Sequence, residues 1–313
     1  MNQAMTNHHS YQEANARERL RHLLDEGSFE EFIGPAERVV SPHLGQLNAP
    51  VAFDDGVAVG RARLDGMPVF VASQEGGFMG GAVGEVHGAK LTGLLRRALD
   101  ERPRAVVLLI ESGGVRLHEA NAGLIAVAEV MRAVLDARAA GIPVIALVGG
   151  ANGAFGGMGI VARCTNAVVM SEEARLSMSG PEVIETANGV EEFDSRDRAL
   201  VWRTTGGKHR YLTGDCQAIV PDDMDAFRQA AIGAIAALSQ PPGGAGKAAP
   251  VELTLEALEQ EQAMLTDRIA RFGALTEPAD IWRELGMPDP AGIAMLEITP
   301  FIEAAAGRRA GGR

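Results

Sequence analysis

Two glycine-rich stretches could form a reaction site that needs no reactive side chain. "ESGGVRLHEA", Glu111 to Ala120, follows the apolar run "RAVVLLI", and "GGANGAFGGMG", Gly149 to Gly159, follows "IPVIALV". A glycine at a strand-to-helix turn lacks the Cβ that would hold a ligand off the backbone, and it accepts dihedral angles that other residues avoid. At a helix start the first N–H groups have no partner inside the helix, and the dipole favours negative charge. Two such turns on neighbouring strands can aim two N–H groups at one oxygen, which is the geometry of an oxyanion hole. The plainer reading of each cluster alone is a tight turn.

Other chemistries find less support. "GGANGAFGGMG" contains GxxGxxG, not the dinucleotide-binding GxGxxG, although Glu172 and Glu173 lie about twenty positions on. A phosphate-binding GxxxxGK[ST] loop and a GxSxG nucleophile elbow are both missing, so Ser112 and Ser179 have no claim as hydrolase nucleophiles. Cys164 and Cys216 form no CxxC pair, and His118 and Glu119 lack the HExxH pattern, so no metal site is expected. Surface placement or helix capping is the expected role of His118 and Glu119. "RTTGGKHR" gathers Arg203, Lys208, His209 and Arg210, either as a solvated face or as an anchor for phosphate or carboxylate.

The elements that must position these turns follow from periodicity. Ala105 to Ile110 and Pro143 to Val148 read as buried strands, and a helix is expected from about Leu117 to Ala140. "VAVGRARLDGMPVFVAS" reads as a hairpin turning at Asp65-Gly66. Leu91, Leu94, Leu95 and Ala98 mark an amphipathic helix, short strands are expected at "NAVVMS" and "ARLSM", and another helix spans about Asp222 to Leu238. Strands alternating with helices give an α/β class with parallel strands covered on both faces. Four segments are expected: a disordered 1–15, a main domain over 16–239, a linker over 240–250 and a C-terminal helical extension over 251–313. On the extension, Leu255, Leu258, Leu265, Ile269 and Phe272 form an apolar stripe, read first as packing on this domain and second as docking on a partner.

Composition narrows the partners. With 313 residues and 46% hydrophobic content the chain can bury a substantial core. A net charge of -12 and 4% aromatic residues argue against nucleic acid, which rewards basic faces and stacking platforms. The apolar runs are too short to span a bilayer and the first residues do not read as a signal peptide, so a cytoplasmic location and no membrane partner are expected.

Four motifs, in order, are similar to those of one family. "ARERLRHLLDEGSFEEF" (Ala16 to Phe32), "GGFMGG" (Gly76 to Gly81), "ESGGVRLHEA" and "SGPEVIE" (Ser179 to Glu185) resemble the carboxyltransferase subunits of acyl-CoA carboxylases over roughly Ala16 to Leu238. The resemblance implies a crotonase-like ββα spiral. Within that family the chain looks most like the beta subunits of biotin-independent malonate decarboxylases. The four-cysteine zinc ribbon of many carboxylase beta subunits has no counterpart, Val115 stands where Ala is usual, and "GGANGAFGGMG" with "RTTGGKHRYLTG" looks particular to that branch.

The resemblance also implies a mechanism. A malonyl thioester on an acyl carrier protein would lose CO2, and the resulting enolate oxygen would be held by one donor from Gly114 or Val115 and another from Gly156 or Gly157. Gly113, Gly80, Gly81, Phe155 and His118 would line the substrate. His118 or a partner subunit would supply the final proton. No cofactor is expected covalently on this chain and no biotin; a phosphoribosyl-dephospho-CoA arm on the carrier protein would present the substrate. A gamma subunit of related fold would complete a hetero-oligomer. The rivals are a biotin-dependent carboxyltransferase subunit, an enoyl-CoA hydratase or isomerase relative, and a non-catalytic binding platform.

Overall fold

The two apolar runs preceding the glycine clusters become adjacent parallel strands near the middle of one seven-stranded sheet. The structure, a computed structural model, describes residues 9–239 and 254–311. Its elements run α1 (Ala16–Leu23), β1 (Glu30–Glu31), β2 (Val57–Leu64), β3 (Met67–Gln74), α2 (Glu85–Glu101), β4 (Ala105–Ile110), α3 (Asn121–Ala139), β5 (Val144–Val148) and α4 (Gly156–Cys164). They continue through β6 (Ala167–Ser171), α5 (Pro181–Asn188), α6 (Arg198–Thr205), α7 (Gly207–Leu212), β7 (Ala218–Val220), α8 (Met224–Leu238), α9 (Leu255–Phe272), α10 (Pro278–Glu284) and α11 (Ile298–Ala305). Strand order follows chain order; β1 to β3 are antiparallel and β3 to β7 parallel.

The hairpin turns where Asp-Gly predicts. Leu64 pairs with Met67, and Asp65 and Gly66 both take positive φ, 52° and 73°, as the right-handed strand twist favours. All six residues of β4 and all five of β5 are buried. Alternate side chains enter two cores: Val106, Leu108 and Ile110 meet α2, α3 and α4, whereas Ala105, Val107 and Leu109 meet α1 and α8. Cover on both faces is what a continuous apolar parallel strand requires. Beyond the strand ends a second, shorter layer forms. Ser112 bridges to Ala154, Ala154 to Leu176, and Val83 to Val115, all in parallel sense.

Several expectations need correction. Residues 9–15 are ordered: Tyr11 is wholly buried, its ring 4.9 Å from that of Phe227, where disorder was expected through residue 15. The helix expected from Leu117 starts at Asn121, because Ala120 at φ 48° separates it from a 3-10 turn at Leu117–Glu119. "ARLSM" contributes isolated bridges at Arg175 and Leu176 and no strand. The expected linker, 240–250, lies outside the described residues, as do residues 1–8. On α9, Leu255, Leu258 and Ile269 stay exposed and Phe272 is the buried residue, so most of the stripe does not pack on this chain.

Candidate active site

The end of β4 and the end of β5 bring the two glycine turns into contact. A Cβ placed on Gly156 would lie 3.2 Å from the Gly114 Cα, and one on Gly114 would lie 3.4 Å from the Phe155 carbonyl oxygen. Both residues have positive φ, 123° at Gly114 and 54° at Gly156, so only glycine sits there without strain. Sequence reasoning left two candidates for each donor, and the hydrogen bonds separate them. Gly114 N–H donates to Ser112 Oγ at 3.1 Å, and Gly156 N–H donates to the Met178 carbonyl at 2.9 Å. Both are therefore occupied. Val115 N–H and Gly157 N–H have no hydrogen-bond partner among the described residues.

Gly157 is the second residue of α4, whose first turn carries no acidic side chain, so its amide adds to the positive end of the helix dipole. Val115 and Gly157 are half-buried. Gly113 is exposed and donates to the Gly80 carbonyl at 2.8 Å, which ties the first turn to the "GGFMGG" loop. Gly81 is buried against it: a Cβ there would fall 1.9 Å from the Glu111 carbonyl oxygen. Phe155 is buried with the Arg175 guanidinium 5.6 Å from its ring, so it packs behind the second turn and does not face solvent. His118 is exposed on the 3-10 turn beyond Arg116.

Immediately after Val115, Arg116 anchors the first turn from behind. Its Nη1 lies 2.9 Å from Asp55 Oδ2 and 2.8 Å from Glu119 Oε1, all three side chains being fully buried. Glu119 Oε2 accepts the Glu85 N–H at 2.6 Å and Asp55 Oδ2 accepts the His87 N–H at 3.0 Å. The start of α2 is thereby fixed to the turn. Glu119 does cap a helix, but α2 and not its own, and it is buried where surface placement was the other expectation. His87 sits in this network as the neutral ring. Burial pushes its pKa down to about 3, Nδ1–H donates to the Asp55 carbonyl at 3.1 Å, and Nε2 accepts from Gln74 Nε2 at 3.0 Å.

The basic segment after α6 behaves otherwise than either reading expected. Lys208 is wholly buried, bonded to Glu172 Oε1 at 2.5 Å and to the Leu296 carbonyl. His209 Nδ1 accepts the Trp282 indole N–H at 3.1 Å, and burial lowers its pKa to about 3. Asp215 would be raised by burial, but Arg210, Arg163 and Arg268 gather around it and hold it at about 2. Since Trp282, Leu296 and Arg268 come from the C-terminal extension, the segment is the seat of that extension, neither a solvated face nor an anion anchor. Among the described residues, Arg203 makes no hydrogen bond or ion pair in this seat.

Among the described residues, no group of three or more His, Cys, Asp or Glu is placed to hold a metal ion, and no helix is long and apolar enough to cross a membrane.

The family follows from comparison with known proteins. A carboxyl transferase domain matches residues 7–268. The chain belongs to the carboxyl transferase family. Within this family it is 39% identical over 310 residues to the malonyl-S-ACP:biotin-protein carboxyltransferase of Malonomonas rubra, covering 94% of each chain. It is 32% identical over 197 residues to the acetyl-coenzyme A carboxylase carboxyl transferase subunit beta of Fusobacterium nucleatum, covering 58% of this chain and 61% of that protein. Among solved carboxyl transferase relatives, a Pseudomonas malonate decarboxylase hetero-tetramer in complex with malonate contains a chain with a TM-score of 0.74 at 39% identity, covering 83% of this chain and 92% of that one. The fold is the crotonase-like one expected from the motifs, and the similarity to the malonate decarboxylase chain covers 83% of this chain.

Proposed function

We propose that this chain is the beta-type subunit of a biotin-independent malonate decarboxylase, converting a malonyl thioester on an acyl carrier protein to the acetyl thioester. The observation that carries the reading is the pair of amides, Val115 N–H and Gly157 N–H, that have no partner among the described residues and sit on two turns in contact. When the bond to the carboxylate breaks, its electron pair moves toward the thioester carbonyl and makes that oxygen an enolate; CO2 leaves. Fixed N–H donors favour the charge as it forms and need no reorganisation at that moment. A proton then adds to the carbon, from His118 or from a partner. Gly80, Gly81 and Gly113 form the wall of the site, and Gly114 and Gly156 let the two turns approach.

The scheme asks for no nucleophile and no biotin. The substrate arrives on the phosphoribosyl-dephospho-CoA arm of the carrier protein, and a gamma subunit of related fold completes the site. The relative's name supports a second reading, in which the same enolate forms but the carboxyl group passes to a biotin protein. The deciding experiment supplies malonyl carrier protein to the co-purified complex without ATP, biotin protein or avidin-reactive material and measures CO2. Release supports decarboxylation. Silence that is relieved by adding a biotinyl carrier supports transfer.

A further inference from the structure

A buried carboxylate lies beneath the two turns and bonds across from one to the other. Glu111, the residue between β4 and the first turn, is 4% exposed. Its Oε2 lies 2.5 Å from Arg19 Nη2 of α1, and its Oε1 accepts both the backbone N–H and the side-chain Nδ2 of Asn152, each at 3.2 Å. Asn152 belongs to the second turn, and its Nδ2 also reaches the Gly76 carbonyl at 3.1 Å. Tyr11 adds a parallel tie: its hydroxyl lies 3.2 Å from the Ile110 carbonyl and 3.3 Å from that of Leu147, the ends of the same two strands.

The glycines around this carboxylate make room for it. A Cβ on Gly76 would fall 2.2 Å from the Glu111 carboxyl carbon and one on Gly150 would fall 2.3 Å from it, while one on Gly149 would strike the Tyr11 ring at 2.5 Å. Arg19 is fully engaged on the other side, with Nε on the Tyr11 carbonyl at 2.9 Å and Nη1 on the Gln74 carbonyl at 3.2 Å. Resting on the reading above, we infer that Glu111, with Arg19 and Asn152, is a positioning residue for the reaction: it clamps the β4 turn to the β5 turn and so sets the distance between the Val115 and Gly157 amides. It does not touch the substrate.

The test uses the assembled complex and two variants. Removing Glu111 alone would strand a buried guanidinium, so the first variant is Arg19→Met with Glu111→Met, which removes both charges at similar volume. Misplacement by about 1 Å can cost about 100-fold in rate; kcat should fall at least about 30-fold with KM within about threefold, and the loss should persist well below the melting temperature. The second variant, Asn152→Ala at a half-buried position, should lower kcat about fivefold to tenfold without moving the melting temperature. A folded double variant with kcat within about threefold of the parent overturns the inference. If the double variant does not fold, an unchanged kcat in Asn152→Ala overturns it. Should the parent complex release no CO2, the decarboxylase reading fails separately, and the same ratios are taken for carboxyl transfer to a biotinyl carrier.

Discussion

The glycine turns and the "RTTGGKHR" segment look like opposite kinds of candidate, and the structure reverses their apparent promise. The segment holds four ionisable side chains within eight residues, yet Lys208, His209 and Arg210 spend their polar atoms inside the protein, on Glu172, Leu296, Trp282, Thr204 and Asp215. The turns offer almost no side chains, yet they leave two backbone donors without a partner among the described residues. Chemical capacity lies in unsatisfied groups more than in charged ones, because a buried charge has to be paired and once paired it is spent.

The sharpest way to break this contrast is Gly114→Ala. A methyl there makes only ordinary contact with the Phe155 carbonyl and Gly156, but an alanine strains at a φ of 123°, so the turn should shift the Val115 amide and lower kcat by about 10²–10³, the effect of losing one oxyanion donor. Steady-state kinetics on the assembled complex checks it; activity within about fivefold would mean that the amides do not act together. Gly156→Val, an obvious alternative, is less clean, since a β-branched side chain at φ 54° would distort the turn as well as block it.

The opposite region should fail in stability and not in rate. Asp215→Asn leaves Arg210, Arg163 and Arg268 without their carboxylate and should cost about 3 kcal/mol in urea unfolding, while kcat per folded complex stays unchanged. A smaller effect comes from pH. His87 and His209 both have pKa values near 3 in the folded chain, below the unfolded value, because burial disfavours their charged forms. Their neutral burial is therefore free of penalty above about pH 6.5, and stability is lost as pH falls from there toward 3, by up to about 1.4 kcal/mol per histidine per pH unit. Denaturation midpoints at about pH 7.5, about 6.5 and about 5.5 would show this, and Trp282→Phe should subtract about 1 kcal/mol at neutral pH. The smallest effect expected is on rate. His118→Asn should change kcat less than about twofold if a partner supplies the proton; a loss of about 10² or more would assign the proton to His118.

Much of the framework was legible in the sequence. The hairpin at Asp65-Gly66, the buried strands β4 and β5, and the placing of two glycine turns at their ends all follow from period and turn chemistry. What could not be read was which amides are spent. That depends on Ser112 Oγ and the Met178 carbonyl, groups brought there by a second layer of bridges that no local pattern encodes. Glu111, Arg19 and the Asp55–Arg116–Glu119 network were also missed, since their partners lie up to 92 residues away. One signal was available. Glu111 directly extends a run of six buried apolar residues, and a carboxylate in that position has to find a buried partner.

Peptide N–H groups do not titrate or oxidise under conditions in which a protein stays folded. If Val115 and Gly157 hold the reacting oxygen, no step in a pH–rate profile can originate from them. Any inflection belongs to the thioester, to a side chain nearby or to another subunit, and following which component shifts it would trace the remaining half of the machinery.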